Sequence, residues 1–541
     1  MYEIGTGGLA STTYNRPLWY RVRAGMQRHA TMPNLAGLVV ALCALFCLIA
    51  LPEPWNIRLT LYLAGAVWII IRPRVALYLL PIAVPWGSLD AFTVGGANLN
   101  SADILVFLLA ASWLMSFVLR PYIVRARIEA GPLDHERFNV PRPLALSLLA
   151  LLLAMLLSMT VTLSINLSLK EIIKWIEVLI VLFIGAQYIR TRRQIWALII
   201  IICLAGISQA IMGYAQNFFD LGPTAFIRNS ALRVYGTFGQ PNPYAGYINM
   251  TLTIAVALTL LARSWSIRIL AGCTAILLAA AEYFSQSRGG EIALAVAVLF
   301  IVTLGIPRLR PLMGAAGIGG LGIVAGYLAG IVPERFLLPI LKVLGLASIS
   351  FTAPSAADYS TAERLAHWIA GARMFLTHPL LGVGIGNYPE AYPRYFITIF
   401  ANPLGHAHNY YINIAAEAGI FGVLGLILFL VASFVAGGRS FRAISKRWRR
   451  VRALRARPAP GTPAAAATRR ADLLRRLTDD RALAVGLLAS LLSICVHNMV
   501  DDLYVHSLTS LMALLLVLLI RLAAVAPRVG SDGGRFAERR S

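Results

Sequence analysis

Residues 143–163 read PLALSLLALLLAMLLSMTVTL, a run without a single charged side chain. A helix needs roughly 20 apolar residues to cross about 30 Å of bilayer hydrocarbon, so this run predicts a transmembrane helix. Thirteen further apolar segments predict spans on the same ground, at 35–51, 57–71, 74–87, 103–119, 171–189, 194–216, 244–262, 267–284, 289–306, 311–330, 409–436, 482–499 and 506–526. The two shortest, 57–71 and 74–87, are alternatively one re-entrant unit. The sequence therefore predicts an all-α fold, a polytopic bundle of about fourteen transmembrane helices.

The composition excludes a soluble enzyme. Of the 541 residues 58% are hydrophobic and 13% are charged, whereas soluble proteins have about 45–50% apolar and about 25% charged residues. The chain carries 48 Lys and Arg against 24 Asp and Glu, a formal net charge of +24. On a soluble protein this excess would suggest nucleic acid as a partner. On so apolar a chain it predicts basic cytoplasmic loops and membrane lipids as partners, and no nucleic acid.

The positions of the basic residues predict the orientation of the bundle. Lys and Arg gather in every second loop, and segment 437–481 alone holds fourteen of them. By the positive-inside rule, both termini are predicted to be cytoplasmic. The chain is accordingly predicted to contain a cytoplasmic tail (1–34), about eleven spans (35–330), a large outer loop (331–408), a span (409–436), a basic cytoplasmic loop (437–481), two spans (482–526) and a second tail (527–541). Within the basic loop, the Pro- and Ala-rich stretch 456–470 predicts a flexible linker.

Several motifs fall on the predicted outer side. In the long loop, Ser360–His378 has apolar residues at helical spacing and predicts an amphipathic helix on the membrane or on the bundle. Residues 233–242, RVYGTFGQPN, predict either a tight re-entry turn or only a loop that leads into a helix. Arg288, in the short turn 285–290, is on the side that the positive-inside rule disfavours. It is either functional or a snorkelling arginine at a helix end, with Glu282 as one candidate partner.

Two further outer motifs bring charged and imidazole groups close to helix ends. Glu363 and Arg364 stand at the start of the amphipathic helix. The stretch His406-Ala-His408-Asn409 directly precedes a span that carries Gly419 and Gly422. The spacing of those two glycines predicts a small-residue stripe for close helix packing.

These motifs resemble a known family. His408-Asn409, followed after nine residues by Gly419-Ile-Phe-Gly422, resembles the signature of the O-antigen ligase family. That family shares a superfamily with O-antigen polymerases and some bacterial protein O-oligosaccharyltransferases. The stretches 236–242, 287–289 and 378–387 are similar to the same family, and the resemblance runs from about residue 170 to 435. It implies a GT-C-like bundle of about 12 spans, so that the expected number is 12–14.

The resemblance also implies an activity. Enzymes of this family transfer a glycan from an undecaprenyl-diphosphate carrier to an acceptor on the outer face of the bacterial inner membrane, without a metal or another cofactor. The acceptor is a lipid, a polysaccharide or a protein. By motif, His408 matches the family's loop histidine, Arg288 its arginine at the short turn, and Arg364 its loop arginine. Physical chemistry agrees with these roles, since arginine forks bind phosphate oxygens and a neutral histidine accepts a hydroxyl proton.

Other polar residues are predicted with weaker roles. Arg233, Asn242 and Asn409 are candidates for substrate binding. The lysines of the span 171–189 and its outer end either bind phosphate or, as is favoured, pair with nearby carboxylates; they are Lys170 and Lys174. The pair Asp501-Asp502 is either a metal site or, as is favoured, a set of polar turn residues.

The sequence leaves alternatives to the ligase open. A polymerase of the same superfamily would differ only in its acceptor, a second lipid-linked unit. A solute transporter would place its charges and broken helices at mid-membrane, whereas here they lie at the outer boundary. A third alternative is a structural partner in an export complex, with 437–481 recruiting a cytoplasmic component or contacting anionic lipid.

Overall fold

The structure is a computed structural model. It describes residues 55–89, 92–94, 97–118, 140–228, 231–330, 333, 351, 359–397, 399–457 and 463–527. The predicted span 35–51, the tail 1–34 and most of the segment 331–358 lie outside the described residues.

Helices make up nearly all of the described chain. They are α1 (Trp55–Ile71), α2 (Arg74–Trp86), α3 (Ser101–Val118), α4 (Arg142–Ser158), α5 (Ile165–Tyr188), α6 (Arg192–Phe218), α7 (Pro241–Leu261), α8 (Trp265–Ser285), α9 (Arg288–Gly305), α10 (Arg310–Leu328), α11 (Tyr359–Thr377), α12 (Tyr388–Ala391), α13 (Tyr410–Ala456), α14 (Ala464–His497) and α15 (Leu508–Val525). Short 3-10 turns occur at Gly87–Leu89, Met159–Val161, Thr224–Phe226, Pro307–Leu309 and Tyr392–Arg394. Two antiparallel hairpins pair β1 (Phe92–Val94) with β2 (Ala97–Leu99) and β3 (Ile227–Arg228) with β4 (Ala231–Leu232). The predicted all-α fold is confirmed.

Every predicted span inside the described ranges coincides with a helix. Eight helices of the described chain are long and apolar enough to cross a membrane: α4 with its 3-10 turn, α6, α7, α8, α9, α13, α14 and α15. Helices α1, α2 and α3 contain shorter apolar segments. Together these helices make the chain a multi-pass membrane protein.

The basic segment 437–481 is mostly helical, which differs from the loop that its charge suggested. Helix α13 continues to Ala456 and α14 begins at Ala464. The linker predicted over 456–470 is therefore wrong from Ala464 onward, because Ala and Arg are strong helix formers. The two helices also support each other, since Trp448 donates a 2.9 Å hydrogen bond to the Thr478 hydroxyl.

Two compact units can be distinguished. In the smaller one, the Ser112 hydroxyl at the end of α3 donates to the Ile70 carbonyl of α1 at 3.1 Å. The larger unit runs from α4 to α15 and includes α2 and the first part of α3. Its core is formed by α7, α14 and α15, which are the most buried of the long helices. Gly486 lets α14 approach α7 closely, since a Cβ atom at Gly486 would lie 2.9 Å from the Ile254 Cα atom.

The connections of the larger unit collect at two ends of the bundle. At one end, Asp501 between α14 and α15 meets Asn242 at the start of α7. At the other end, Arg192 at the start of α6 binds Asp480 of α14 at 2.8 Å. This arrangement agrees with the predicted alternation of outer and inner connections.

Candidate functional site

The candidate site lies where four connections meet at one end of the bundle. They are the loop before α13, the turn between α14 and α15, the start of α7 and the start of α9.

His408 and Asp501 form the centre of the site. The His408 Nδ1 atom lies 3.2 Å from the Asp501 Oδ1 atom, and the two side chains are 18% and 7% exposed. Burial would raise the pKa of Asp501, but the His408 hydrogen bond and the charges of His408, His406 and Arg364 hold it well below its usual range. An ionised carboxylate only accepts hydrogen bonds, so the His408 Nδ1 atom is the donor in this pair.

Asp501 connects His408 to a longer hydrogen-bond network. Its other carboxylate oxygen accepts a 2.5 Å bond from the Asn242 amide. The Asn242 side-chain oxygen in turn accepts bonds from the Arg233 guanidinium at 3.3 Å and from the Ser287 hydroxyl at 3.0 Å. The structure thus places the predicted residue Asn242 on the same carboxylate as His408, and Arg233 on Asn242.

Arg288 directly follows this network at the first turn of α9. The preceding residue, Ser287, is the N-cap of α9 and accepts a bond from the Gly290 amide. Arg288 lines an open cleft of about 530 Å³ together with Gln286 and Glu291. Glu282, the candidate partner in the sequence, accepts a 3.1 Å bond from the Asn249 amide.

Helix α11 brings a second arginine to the site. The helix covers Tyr359–Thr377, where the sequence predicted one over 360–378. Arg364 is close enough for its charge to lower the pKa of Asp501. Burial raises the pKa of the neighbouring Glu363, although the positive charges of His408 and Arg364 act to lower it. Trp368, one turn further on, donates a 3.1 Å bond to the His408 carbonyl and so ties the helix to the loop.

Behind His408 lies a buried aromatic group that sequence reasoning missed. His367 is fully buried and stacks on Tyr392, with ring centroids 4.5 Å apart. Its Nδ1 atom lies 3.1 Å from the Tyr388 hydroxyl, and its ring meets the ring of His408 edge-on at 5.6 Å. Burial lowers the pKa of His367 to about 4, aided by the charges of His408 and His406, which keeps it neutral at neutral pH.

The loop that carries His408 has a fixed backbone. His408 adopts a positive φ of 50°, and its amide donates a 3.1 Å bond to the His406 Nδ1 atom. Asn409, predicted to bind substrate, is the N-cap of α13 and accepts bonds from the Tyr411 and Ile412 amides. Its amide nitrogen donates to the Met499 carbonyl at 2.8 Å. Asn409 therefore fixes the loop against the turn that carries Asp501.

Of the two lysines of α5, Lys174 shows the carboxylate pairing that the sequence favours. The Lys174 ammonium lies 2.6 Å from the Glu171 carboxylate and donates a 2.6 Å bond to the Tyr504 carbonyl. Lys170 lies near His506, where burial and the Lys170 charge lower the pKa of that histidine. A role of these lysines in phosphate binding stays a prediction.

Gly419 has a different role from the helix-packing stripe that the sequence predicted. Its φ of 60° and ψ of −157° break the helical geometry inside α13. A Cβ there would lie 2.3 Å from the Leu380 carbonyl oxygen. The break lets the Ile420 amide donate to the Pro379 carbonyl at 2.8 Å. Gly419 thus kinks the helix and allows the segment after α11 to pack against it.

Asp501 has a contact that the sequence does not predict, since the sequence favours a polar turn residue at this position and leaves a metal site as the alternative. It lies 93 positions after His408, so no local pattern links the two. The only signal was a pair of acidic residues in a short turn on the predicted outer side. Asp502 accepts a bond from the Tyr504 amide at 2.9 Å, which agrees with the turn interpretation for that residue.

Comparison with known proteins gives a family match for part of the chain. Residues 273–427 match a protein-family model described as O-antigen ligase. The match confirms the resemblance to the O-antigen ligase family over this part of the chain, which contains Arg288, Arg364 and His408. No curated protein matches the chain.

Proposed function

We propose that this membrane protein is a glycosyltransferase of the O-antigen ligase type. It transfers a glycan from an undecaprenyl-diphosphate carrier to an acceptor hydroxyl at the outer face of the bacterial inner membrane. The observation that carries the proposal is the contact between His408 and Asp501, with the charge of Arg364 acting on that carboxylate. His408 and Arg364 belong to the matched family region. No metal or other cofactor takes part in the proposed reaction.

His408 acts as the general base. Its Nε2 atom accepts the proton of the acceptor hydroxyl while the oxygen attacks the anomeric carbon of the glycan. The bond between that carbon and the diphosphate oxygen breaks, and undecaprenyl diphosphate leaves with the bonding electrons. Asp501 holds the ring and stabilises the imidazolium that forms. Attack opposite the diphosphate inverts the configuration of the anomeric carbon.

The arginines stabilise the leaving group. Negative charge grows on the diphosphate oxygens as the glycosidic bond breaks, and guanidinium groups bind such oxygens in pairs at any working pH. The charge of Arg364 acts on the Asp501 carboxylate, and Arg288 lines a separate open cleft next to Ser287. Fixed charges of this kind act strongly at a boundary of low dielectric constant. Asn242 holds Asp501 and Ser287 in place through hydrogen bonds, and Arg233 in turn binds Asn242.

A transfer assay tests the proposal. The purified protein receives lipid-linked glycan and candidate acceptors, and the wild type is compared with His408→Ala and Arg288→Ala. We expect both variants to lose transfer, with about a 10²–10⁴-fold lower rate for the loss of a general base. His378→Ala and Arg373→Ala serve as matched controls, since both side chains are exposed. Full transfer by the His408 variant would refute its role as the base.

The same assay separates ligase from polymerase. A ligase elongates a lipid, protein or surface anchor, whereas a polymerase transfers only onto a second lipid-linked unit. We expect the ligase outcome from the spacing of the His408-Asn409 motif and Gly419. A product that contains only lengthened lipid-linked glycan would assign the polymerase activity instead.

Thiol labelling tests the orientation. In a background without the native cysteines, cysteine at Ser360 should react with a membrane-impermeant reagent added from outside, and cysteine at Ala465 should not. Both positions are helical and exposed, so that accessibility from each side of the membrane decides the result. The opposite pattern would invert the proposed topology.

A further inference from the structure

Three side chains of the site together resemble a metal-binding group. His406, His408 and Asp501 each offer one ligand atom, and these atoms all lie within 4.8 Å of one another. Two imidazoles and one carboxylate form a common ligand set for divalent transition metals. Among the described residues, this is the cluster whose histidine and acidic side chains come close enough to share an ion.

The distance between the central pair suits a small ion. The His408 Nδ1 and Asp501 Oδ1 atoms are 3.2 Å apart. Two ligand atoms that each lie about 2.1 Å from a zinc ion are separated by about 3.4 Å at the tetrahedral angle. An ion can therefore replace the shared proton with little movement of either side chain, and a nitrogen of His406 then supplies the third ligand.

The ligand types of the cluster suit a transition-metal cation. Asp501 supplies a carboxylate oxygen, and the two imidazoles supply nitrogen. Nitrogen ligands favour zinc or copper over magnesium and calcium.

We propose that His406, His408 and Asp501 form an inhibitory site for Zn²⁺. An ion on the His408 Nδ1 atom places the remaining ring proton on Nε2, the atom that must accept the acceptor proton. The bound ion therefore blocks the base. The binding of the ion stands on geometry alone, whereas its inhibitory consequence rests on the proposed function.

Zinc binding is measured first, by titration calorimetry on the purified full-length protein. We expect wild type to bind one Zn²⁺ at the site. His406→Gln should bind it at least about tenfold more weakly, since even residues behind metal ligands contribute 10–100-fold. His378→Gln, a matched change at an exposed histidine, should bind like wild type. Equal affinity of wild type and His406→Gln, or no binding by wild type, would overturn the site. His406→Ala, checked for an unchanged melting temperature, repeats the test in case the glutamine itself contributes a ligand.

Inhibition is measured second, as the ratio of transfer rates with and without Zn²⁺. For wild type we expect the rate to fall at least about tenfold near saturation and to recover with a chelator. For His406→Gln the ratio should stay near one at the same Zn²⁺ concentration, whatever its basal rate, and Mg²⁺ should have no effect on either protein. Zinc binding without any effect on wild-type transfer would overturn the inhibition. Zinc binding by a protein that transfers no glycan even in the absence of zinc would refute the proposed function and leave the site intact.

Discussion

Replacing Asp501 by asparagine removes one charge from the centre of the site and keeps the shape of the side chain. The carboxylate accepts bonds from His408 Nδ1 at 3.2 Å, from Asn242 at 2.5 Å and from the Asp502 amide at 2.9 Å. The amide has one acceptor oxygen instead of two, so it cannot satisfy His408 and Asn242 together. The imidazole then loses both its fixed tautomer and the charge that stabilises its protonated form.

The expected loss follows from the bond that is removed. A hydrogen bond to a charged group contributes about 1.5–3 kcal/mol, and each 1.36 kcal/mol of barrier is a tenfold change in rate. We therefore expect Asp501→Asn to transfer glycan between about tenfold and 150-fold more slowly. The loss of the base itself, about 10²–10⁴-fold, sets the upper limit.

The assay is glycan transfer by the purified protein, with the melting temperature measured in parallel. Asp472→Asn is the matched control, because Asp472 is partly exposed and pairs with neighbours on its own helix, Arg475 and Arg476. If Asp501 acts through the histidine, adding Asp501→Asn to His408→Gln slows transfer no further. A folded Asp501→Asn protein with the wild-type rate would refute the reasoning, and so would fully additive losses in the double variant.

Three further predictions concern other parts of the site. Arg364→Lys keeps the positive charge but loses the paired N–H groups of the guanidinium. We therefore expect the KM for the lipid-linked glycan to rise about tenfold, with no change for Arg373→Lys. An unchanged KM would contradict the role of Arg364. Gly419→Ala should cost about 1–3 kcal/mol of stability, because Gly419 has a positive φ and lies close to the Leu380 carbonyl. The loss is measured as a lower melting temperature. Gly438→Ala in the same helix should leave the melting temperature unchanged. The buried His367 has its pKa lowered from 6.5 to about 4, so the unfolded chain takes up a proton below about pH 6.5 while the folded protein does not. Stability should therefore fall by about 2 kcal/mol between pH 7 and pH 5, and thermal unfolding of His367→Gln should show a smaller fall; an identical pH dependence would contradict this assignment.

Local features of the chain could be predicted from the sequence. The apolar run 143–163 predicts α4 because a membrane helix satisfies its own backbone hydrogen bonds, which makes its signal local. The amphipathic pattern over 360–378 predicts α11 for a similar reason. Charge, in contrast, predicts the side of the membrane and not the backbone conformation. Within segment 437–481, the Pro- and Ala-rich composition of 456–470 predicts a linker, although α14 already begins at Ala464.

The contacts that build the site could not be predicted in the same way. His408 and Arg364 were found by motif, but the carboxylate that orients His408 belongs to the turn between the last two helices. The kink at Gly419 depends on the approach of the Leu380 carbonyl, which becomes visible only in the folded chain. Long-range packing determines both features, and sequence spacing carries no information about it.

The position of Asp501 has a consequence for dividing this protein into parts. The matched family region ends at residue 427, yet the acidic partner of its histidine comes from the hairpin of α14 and α15, and Asn242 comes from before the region. The boundaries of sequence similarity and those of the working unit therefore do not coincide. A fragment cut at the edges of the family match would keep His408 and lose Asp501, the carboxylate that contacts its Nδ1 atom, so an excised piece that retains this contact must include α14 and α15 as well as the loop.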